Sequence, residues 1–158
     1  MKKRVYLFSF LFLILDIISK LIVKNNIVLN SSNIIIPNFF KLTYVLNDGA
    51  AFSILSGNIY LLIIVSLIIL GGIIYYLRRD NLNNYKVIYY SLLIGGLLGN
   101  LIDRIIYNGV IDFLDFTLFG RNMPIFNLAD IFICVSVFLI ILEGMVKIDG
   151  NNSRRGRN

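Results

Sequence analysis

The chain has 158 residues, of which 58% are hydrophobic and 15% are charged, and its net charge is +6. This composition is too apolar for a water-soluble domain of that length, and it predicts one membrane-embedded domain, 1–158. The chain has no histidine and a single cysteine, which excludes Ser-His-Asp and Cys-His nucleophiles and histidine-ligated metals. Carboxylates are the best remaining groups for proton transfer.

Four apolar segments are long enough to cross a bilayer as helices of about 20 residues. They cover residues 5–24, 59–77, 87–107 and 130–146. Most basic residues flank the span ends that a four-span topology brings to one side of the membrane, which predicts that both termini are cytoplasmic. These charges border apolar spans and form no basic face with interleaved aromatic residues, so nucleic acid is not expected as a partner.

The two connections on the outer side have different patterns. Residues 25–58 combine turn signals with β-prone stretches at 34–36 and 39–45, which predict a small sheet or hairpin. Residues 108–129 mix apolar and acidic side chains, and this mixture suits an element that lies in the headgroup layer. At the end of the chain, residues 150–158 are expected to be disordered.

Ionisable residues inside the spans gather in the outer half of the membrane. At about 1.5 Å per residue, this half contains Asp16 and Lys20 of the first span and Asp103 and Arg104 of the third. Each such residue costs about 2.5 to 3.5 kcal/mol on insertion scales and is therefore a functional candidate. Simpler interpretations exist, since Asp16 and Lys20 are spaced for a structural ion pair and the other two are able to snorkel to the interface.

Two aspartates eighteen residues apart, Asp112 and Asp130, are the most informative feature of the chain. Asp112 follows Gly-Val-Ile in the second outer connection, and Asp130 opens the fourth span. They suggest a catalytic carboxylate pair, with Asp115 as the nearest rival to Asp112. The residues alone leave two classes open: an aspartate-dependent enzyme, and a transporter or ion pathway, which also places acids inside spans.

Four sequence blocks, taken together, resemble the lipoprotein signal peptidases (signal peptidase II) of bacteria. The match extends from the first span to the fourth, with the blocks in the same order and spacing. The blocks are Asp-Ile-Ile-Ser-Lys at 16–20, Asn-Asp-Gly-Ala-Ala-Phe at 47–52, Gly-Gly-Leu-Leu-Gly-Asn-Leu-Ile-Asp-Arg at 95–104 followed by Val-Ile-Asp-Phe at 110–113, and Phe-Asn-Leu-Ala-Asp at 126–130.

The resemblance implies a fold of four transmembrane helices with a small extracytoplasmic β-cradle and a short interfacial helix. It implies an aspartyl endopeptidase of the bacterial cytoplasmic membrane, with its site near the outer face and without a cofactor or metal. The implied substrates are prolipoproteins, cut just before a cysteine that already carries a diacylglyceryl group. Membrane lipid and inhibitory cyclic peptides of the globomycin type are the other implied partners.

The resemblance also assigns roles to individual residues. It makes Asp112 and Asp130 the catalytic dyad. The residues implied to bind substrate are Asn47, Gly49, Asn100, Arg104 and Asn127, and those implied to be structural or supporting are Asp16, Lys20 and Asp103. The chain departs from the usual family pattern at Asn108, where glycine is common. Asparagine tolerates left-handed backbone better than most residues, so the site is expected to remain intact.

Two rival functions have their own signatures. Intramembrane aspartyl proteases of the presenilin or prepilin-peptidase kind typically carry Gly-x-Gly-Asp motifs, which this chain lacks. A small transporter should show internal repeats or broken helices near the midplane, whereas the polar groups here cluster toward one face.

Overall fold

The computed structural model describes residues 1–49 and 56–155, which form a bundle of long helices with a small sheet at one end. In chain order the elements are α1 Lys2–Asn26, β1 Ser32–Ile36, β2 Phe40–Asn47, α2 Ile59–Arg79, α3 Asn84–Tyr107, β3 Val110–Leu118, β4 Arg121–Asn122 and α4 Leu128–Arg155. Within the described residues, four helices are long and apolar enough to cross a membrane, and each contains one of the predicted spans. The prediction of a four-span membrane fold is confirmed.

Helix α3 is the central helix of the bundle, and small residues allow its neighbours to approach closely. A Cβ atom added at Gly95 would lie 2.8 Å from the Cβ atom of Phe12 on α1. One added at Gly96 would lie 2.6 Å from the carbonyl oxygen of Ala129 on α4. Since lipid provides no hydrophobic drive for helix association, close packing of this kind is a main source of stability.

Buried hydroxyl groups join the same helices. Ser91 of α3 donates to the carbonyl of Val5 on α1 at 3.2 Å, and Ser136 of α4 donates to the carbonyl of Tyr89 on α3 at 2.7 Å. In an environment without water these bonds satisfy polar groups that otherwise have few partners. They fix α1 and α4 on either side of α3.

The four strands form one antiparallel sheet in the order β1-β2-β3-β4. Strands β1 and β2 form the hairpin predicted in the first outer connection. Their neighbour β3 pairs along β2, with Asn47 opposite Val110 and Val45 opposite Asp112. Phe113 packs with Val23 and Ile27 at the end of α1 and so attaches the sheet to the bundle.

The second outer connection forms β3 and β4, since the backbone of β3 pairs with β2 and its first four residues are buried. The expectation that this connection lies in the headgroup layer stays a prediction. The elements within the described residues include no short interfacial helix. Residues 50–55, which contain part of the second sequence block, lie outside those residues.

Two helix ends also add detail to the predictions. Helix α3 ends at Asn108, which has a left-handed backbone with φ of 54°, and β3 begins two residues later. Helix α4 continues to Arg155, whereas the sequence predicts disorder from residue 150, and residues 156–158 lie outside the described part of the chain.

The bundle has two distinct ends. At the sheet end, α1 and α3 finish and α2 and α4 begin. At the opposite end, the ammonium group of Lys2 donates to the carbonyl of Arg78 at 2.6 Å, which joins the start of α1 to the end of α2. The fold therefore brings the start of α4, the end of α3 and the sheet to one place.

The glycine contact between α3 and α4 gives a direct test of this packing. Gly96→Ala should lower the melting temperature in detergent, because the added Cβ meets a backbone oxygen, which cannot rotate away. Gly71→Ala on α2 is the matched control, since its added Cβ meets no heavy atom within 4 Å and alanine is the better helix former by up to about 1 kcal/mol. Equal melting temperatures for the two variants would contradict the packing described.

Candidate active site

The two predicted catalytic aspartates lie on different elements at the sheet end. Asp112 is the third residue of β3, and Asp130 lies in the first turn of α4. Both line a single cavity of about 810 Å³, together with Asn47, Asn100 and Arg104. Helices α3 and α4 and the sheet thus bring together side chains that are far apart in the sequence.

A reciprocal capping motif holds Asp130 at the start of α4. The side-chain oxygen of Asn127 accepts a hydrogen bond from the N–H of Asp130 at 2.9 Å. In return, Oδ2 of Asp130 accepts one from the N–H of Asn127 at 3.2 Å. This is the arrangement of a capping box, in which two unpaired donors of a helix start are satisfied at once. It fixes the rotamer of Asp130 and leaves Oδ1 of Asp130 to accept a hydrogen bond from Asn100.

Asparagine amides connect the two aspartates. The amide nitrogen of Asn127 donates to Oδ1 of Asp112 at 2.7 Å, and that of Asn100 donates to Oδ1 of Asp130 at 2.8 Å. Asn127 also donates to the side-chain oxygen of Asn100 at 3.1 Å. One continuous hydrogen-bonded network therefore contains both carboxylates.

Asn47 holds the other oxygen of Asp112. Its amide nitrogen donates to Oδ2 at 2.9 Å. The N–H of Gly49 donates to the side-chain oxygen of Asn47 at 2.9 Å, which fixes the orientation of that amide. Gly49 itself lines the cavity. Ala50 and Ala51 of the same sequence block lie outside the described residues.

The environment of Asp112 favours its neutral form. Its side chain is buried, with 2% of the residue exposed. Burial raises the pKa of Asp112 to about 7, and the negative charge of Asp130 acts in the same direction. The hydrogen bonds from Asn47 and Asn127 and the positive charge of Lys20 oppose this rise. A carboxyl group with this pKa is able to give or take a proton near neutral pH.

Behind the cavity lies a cluster of buried charges, which we call the Lys20 cluster: Asp16, Lys20 and Asp103. The ammonium group of Lys20 lies 2.7 Å from the carboxylate of Asp16 and 2.9 Å from that of Asp103. It also donates to the side-chain oxygen of Asn100 at 3.0 Å. The ion pair expected from the spacing of Asp16 and Lys20 is present, and Lys20 forms a second ion pair with Asp103.

Each acid of the Lys20 cluster also accepts a backbone hydrogen bond beside one of the predicted catalytic residues. Oδ1 of Asp16 accepts from the N–H of Ala129 at 2.9 Å, the residue just before Asp130. Oδ2 of Asp103 accepts from the N–H of Ile111 at 3.1 Å, the residue just before Asp112. The cluster therefore connects the backbone of β3 to that of α4.

Arg104 lies in the wall of the cavity, close enough to Asp130 and Asp112 for their negative charges to act on it. Its terminal nitrogens make only long contacts of 3.4 Å, to the carbonyls of Asn100 and Gly49. Its Nε is buried, and it has no hydrogen-bond partner within the described residues. The guanidinium group therefore keeps donors available for a molecule in the cavity.

Apolar side chains form most of the remaining wall of the cavity. The aromatic and sulfur-containing members of this wall are Phe39, Phe116, Met123, Phe126 and Cys134. The volume suits a large ligand, and a wall of this kind favours a ligand with a substantial apolar part. None of these residues was predicted as part of the site, although Phe116, Met123 and Phe126 all belong to the second outer connection.

Asp115, the rival to Asp112, points away from this cavity. The even-numbered residues Val110, Asp112 and Phe116 of β3 line the cavity, as expected for side chains that alternate along a strand. Asp115 instead accepts a hydrogen bond from Thr43 at 2.7 Å and pairs with Lys41 at 3.1 Å.

The capping motif is the main feature of the site that the sequence analysis missed. Asn127 was identified only through the family resemblance. Its spacing from Asp130, three residues apart before an apolar run, is itself a helix-start signature. For metals, no group of three or more metal-ligating acids or thiols occurs among the described residues.

Comparison with known proteins agrees with this architecture. The model of the family described as signal peptidase (SPase) II matches residues 8–146. The lipoprotein signal peptidase of Bacillus pumilus is 33% identical, with 94% of this chain and 96% of the relative covered. That of Staphylococcus epidermidis is 38% identical, with 90% and 92% covered.

Solved structures of two bacterial membrane enzymes share the fold. One, at 2.3 Å resolution, has a TM-score of 0.84 and 36% identity and covers 93% of this chain and 90% of its own. The other, at 1.9 Å, has a TM-score of 0.79 and 36% identity, with 88% and 90% covered. The chain therefore belongs to the signal peptidase II family and is a multi-pass bacterial membrane protease that processes lipoproteins.

Proposed function

We propose that this chain is an aspartyl endopeptidase that cuts diacylglyceryl-modified prolipoproteins just before the lipidated cysteine, with water activated by Asp112 and Asp130. The observation that carries the proposal is the shared cavity. Two carboxylates from different elements line it, joined through Asn127 and Asn100, and the rest of its wall is largely apolar. Such a cavity offers general acid–base groups to an apolar substrate.

In the proposed mechanism the two carboxylates share one proton. The ionised aspartate removes a proton from a water molecule as its oxygen attacks the scissile carbonyl carbon, while the protonated aspartate donates a hydrogen bond to the carbonyl oxygen. Collapse of the tetrahedral intermediate breaks the C–N bond and delivers a proton to the leaving nitrogen. The products are the carboxyl end of the signal peptide and the free amine of the lipidated cysteine.

The pKa of Asp112 supports a shared proton. An aspartate that titrates at about 7 is partly protonated at neutral pH, so it is able to act as the acid while its partner acts as the base. The neighbouring donors are amides, which stabilise a carboxylate without the full effect of a positive charge.

We assign substrate binding to Arg104, Asn47, Asn100, Asn127 and Gly49. The available donors of Arg104 suit the carbonyl oxygens of an extended peptide, including the oxygen that becomes negative during attack. Asn47, Asn100 and Asn127 already hold the carboxylates, so their role toward substrate includes keeping the dyad in place.

We also propose a topology in which the sheet end faces outward and both termini are cytoplasmic. Basic residues at 2–4, 78–79 and 86 lie at the opposite end, as the positive-inside rule requires. A site at the outer face meets a substrate whose acyl chains lie in the outer leaflet, so the lipid does not have to cross the membrane. A cyclic peptide of the globomycin type, expected to place a hydroxyl between the aspartates, serves as the inhibitor control in the cleavage assays.

The dyad variants test the proposed function directly. Asp112→Asn and Asp130→Asn should each lower the rate of cleavage of a lipidated peptide by about 10²- to 10⁴-fold, because asparagine cannot transfer the proton. The double variant should be no slower than the slower single one, since the two groups act as a unit. Asp115→Asn is the control on the same strand and should retain most of the activity. Near wild-type cleavage by Asp112→Asn, together with an inactive Asp115→Asn, would show that the catalytic residue is Asp115 and not Asp112.

The pH dependence of stability provides a second test. The pKa of Asp112 is raised on folding, from 3.8 to about 7, so the folded state loses stability relative to the unfolded state as the pH rises through this interval. The asparagine side chain of the Asp112→Asn variant does not titrate. The free energy of unfolding of this variant minus that of wild type should therefore increase by about 3 kcal/mol between pH 5 and 8, at about 1.4 kcal/mol per pKa unit. A difference that does not change with pH would contradict the raised pKa.

The Lys20 cluster tests whether backbone positioning supports catalysis. Lys20→Met alone leaves two buried acids without a cation. It should lower the free energy of unfolding by about 3 to 5 kcal/mol and so reduce folded yield. Adding Asp16→Asn and Asp103→Asn removes both charges but keeps an acceptor for each backbone N–H, so yield and cleavage should recover together.

The matched triple variant replaces the same two acids by alanine. It also lacks buried charge, but Ala129 and Ile111 lose their acceptors. We expect it to recover folded yield but to cleave at least about tenfold more slowly than the triple variant with asparagine. The loss of even one of these hydrogen bonds, at about 1 to 3 kcal/mol, is enough for this difference in rate. Equal rates in two well-folded triples would show that the cluster only stabilises the fold.

A further inference from the structure

The tip of the β3–β4 hairpin has an unusual composition. Leu118 lies opposite Arg121, so the loop between the strands consists of Phe119 and Gly120 alone. Both have a positive φ, 51° and 73°, which is the conformation of a two-residue type I′ turn. Asn-Gly is the preferred pair in such a turn, and a bulky residue at its first position is disfavoured.

Phe119 is the exception among the left-handed residues of this chain. Within the described residues, four residues other than glycine have a positive φ, and the other three are all asparagine: Asn30, Asn38 and Asn108. Phe119 is also completely exposed, at 103% of its reference area. Neither the backbone nor packing within the described protein explains a phenylalanine here, and this directs attention to its environment outside the chain.

The position of the hairpin indicates what that environment is. Leu118 and Met123 of the hairpin line the same cavity as Cys134 and Val135 of α4. Cys134 and Val135 are exposed on a membrane-spanning helix, one turn beyond Asp130. The hairpin therefore lies beside the flank of α4 that faces lipid, close to the end of that span.

The charge beside the tip complements a phospholipid surface. Arg121 directly follows the turn and is exposed, and it belongs to none of the ion pairs found in the described residues. An aromatic ring next to a free guanidinium group is the combination that anchors proteins at the bilayer interface, with the ring among the upper acyl chains and the cation among the phosphates.

We propose that the β3–β4 hairpin tip is a membrane anchor, in which Phe119 inserts into the interface of a phospholipid bilayer and Arg121 binds lipid phosphate. The anchor holds the wall of the cavity formed by Leu118 and Met123 against the lipid from which a membrane-bound segment enters.

The absence of tryptophan from the chain allows a single fluorescent residue to report on this contact. Phe119→Trp and the control Asn81→Trp are reconstituted into phosphatidylglycerol–phosphatidylethanolamine vesicles. Asn81 is exposed in the connection between α2 and α3, at the opposite end of the bundle. We expect Trp emission from position 119 to be blue-shifted and quenched by lipids brominated near the headgroup. Emission from position 81 should be quenched mainly by aqueous acrylamide.

Three results would overturn the proposal. Acrylamide quenching at position 119 as strong as at position 81 would place the tip in water. Protection that disappears when the protein is diluted in lipid would assign the contact to a second copy. Protection that appears only after a lipidated peptide substrate is added would assign it to the substrate.

A second variant separates lipid contact from folding. Phe119→Asn produces the preferred Asn-Gly turn, so its melting temperature in detergent should equal or exceed that of wild type. The rise in melting temperature on transfer from detergent to anionic vesicles should be smaller than for wild type, because the anchor is missing. A lower melting temperature in detergent would instead show that Phe119 packs within the protein, and the proposal would fail.

Discussion

The rest of the site depends on the buried ammonium group of Lys20. It is 2% exposed and lies within 3.0 Å of two carboxylates and one amide oxygen. Removing such charges from water is expensive, and a well-packed apolar cluster would often stabilise a fold equally well. What an apolar cluster cannot provide is two acceptors aimed at the N–H groups of Ile111 and Ala129. The buried charges therefore provide a specific geometry in return for their desolvation cost. In this geometry β3 and α4 meet next to the two aspartates.

The two aspartates are held by neutral donors and make no direct ion pair with Lys20. The carboxylates of Asp112 and Asp130 are held by asparagine amides and one backbone N–H, while Lys20 contacts neither and reaches them only through Asn100. A direct ion pair would lower the pKa of Asp112 and remove the acid from the proposed pair. Burial raises that pKa to about 7, and the neutral donors oppose the rise less than a direct ion pair would, while they still fix both side chains. In this account the asparagines are as important as the aspartates.

The sequence predicted the parts of this protein that depend on local pattern. Long apolar runs are sufficient for membrane helices, because a backbone in lipid has few alternatives. The turn signals and β-prone stretches of residues 25–58 predicted the first hairpin. Asp112 and Asp130 stood out because acids are rare in such a composition, and the four blocks gave the family.

The parts that the sequence did not predict depend on long-range pairing. Strand β3 has no clear alternation of apolar and polar residues, because its first four positions are buried on both faces, and its pairing with β2 decides that Asp112 and not Asp115 faces the cavity. The second acid of the Lys20 cluster and its backbone contacts also require the packed helices. The Asn127–Asp130 cap was visible locally and was overlooked.

The most direct test of the account is product analysis with purified wild-type protein and two peptides. One carries a diacylglyceryl-cysteine after its signal sequence, and its twin has the same sequence without lipid. The account predicts a single cut on the amino side of the lipidated cysteine, identified by mass spectrometry, and an intact twin. Equal cleavage of both peptides, a cut at another bond, or no cleavage of the lipidated peptide by well-folded protein would contradict it.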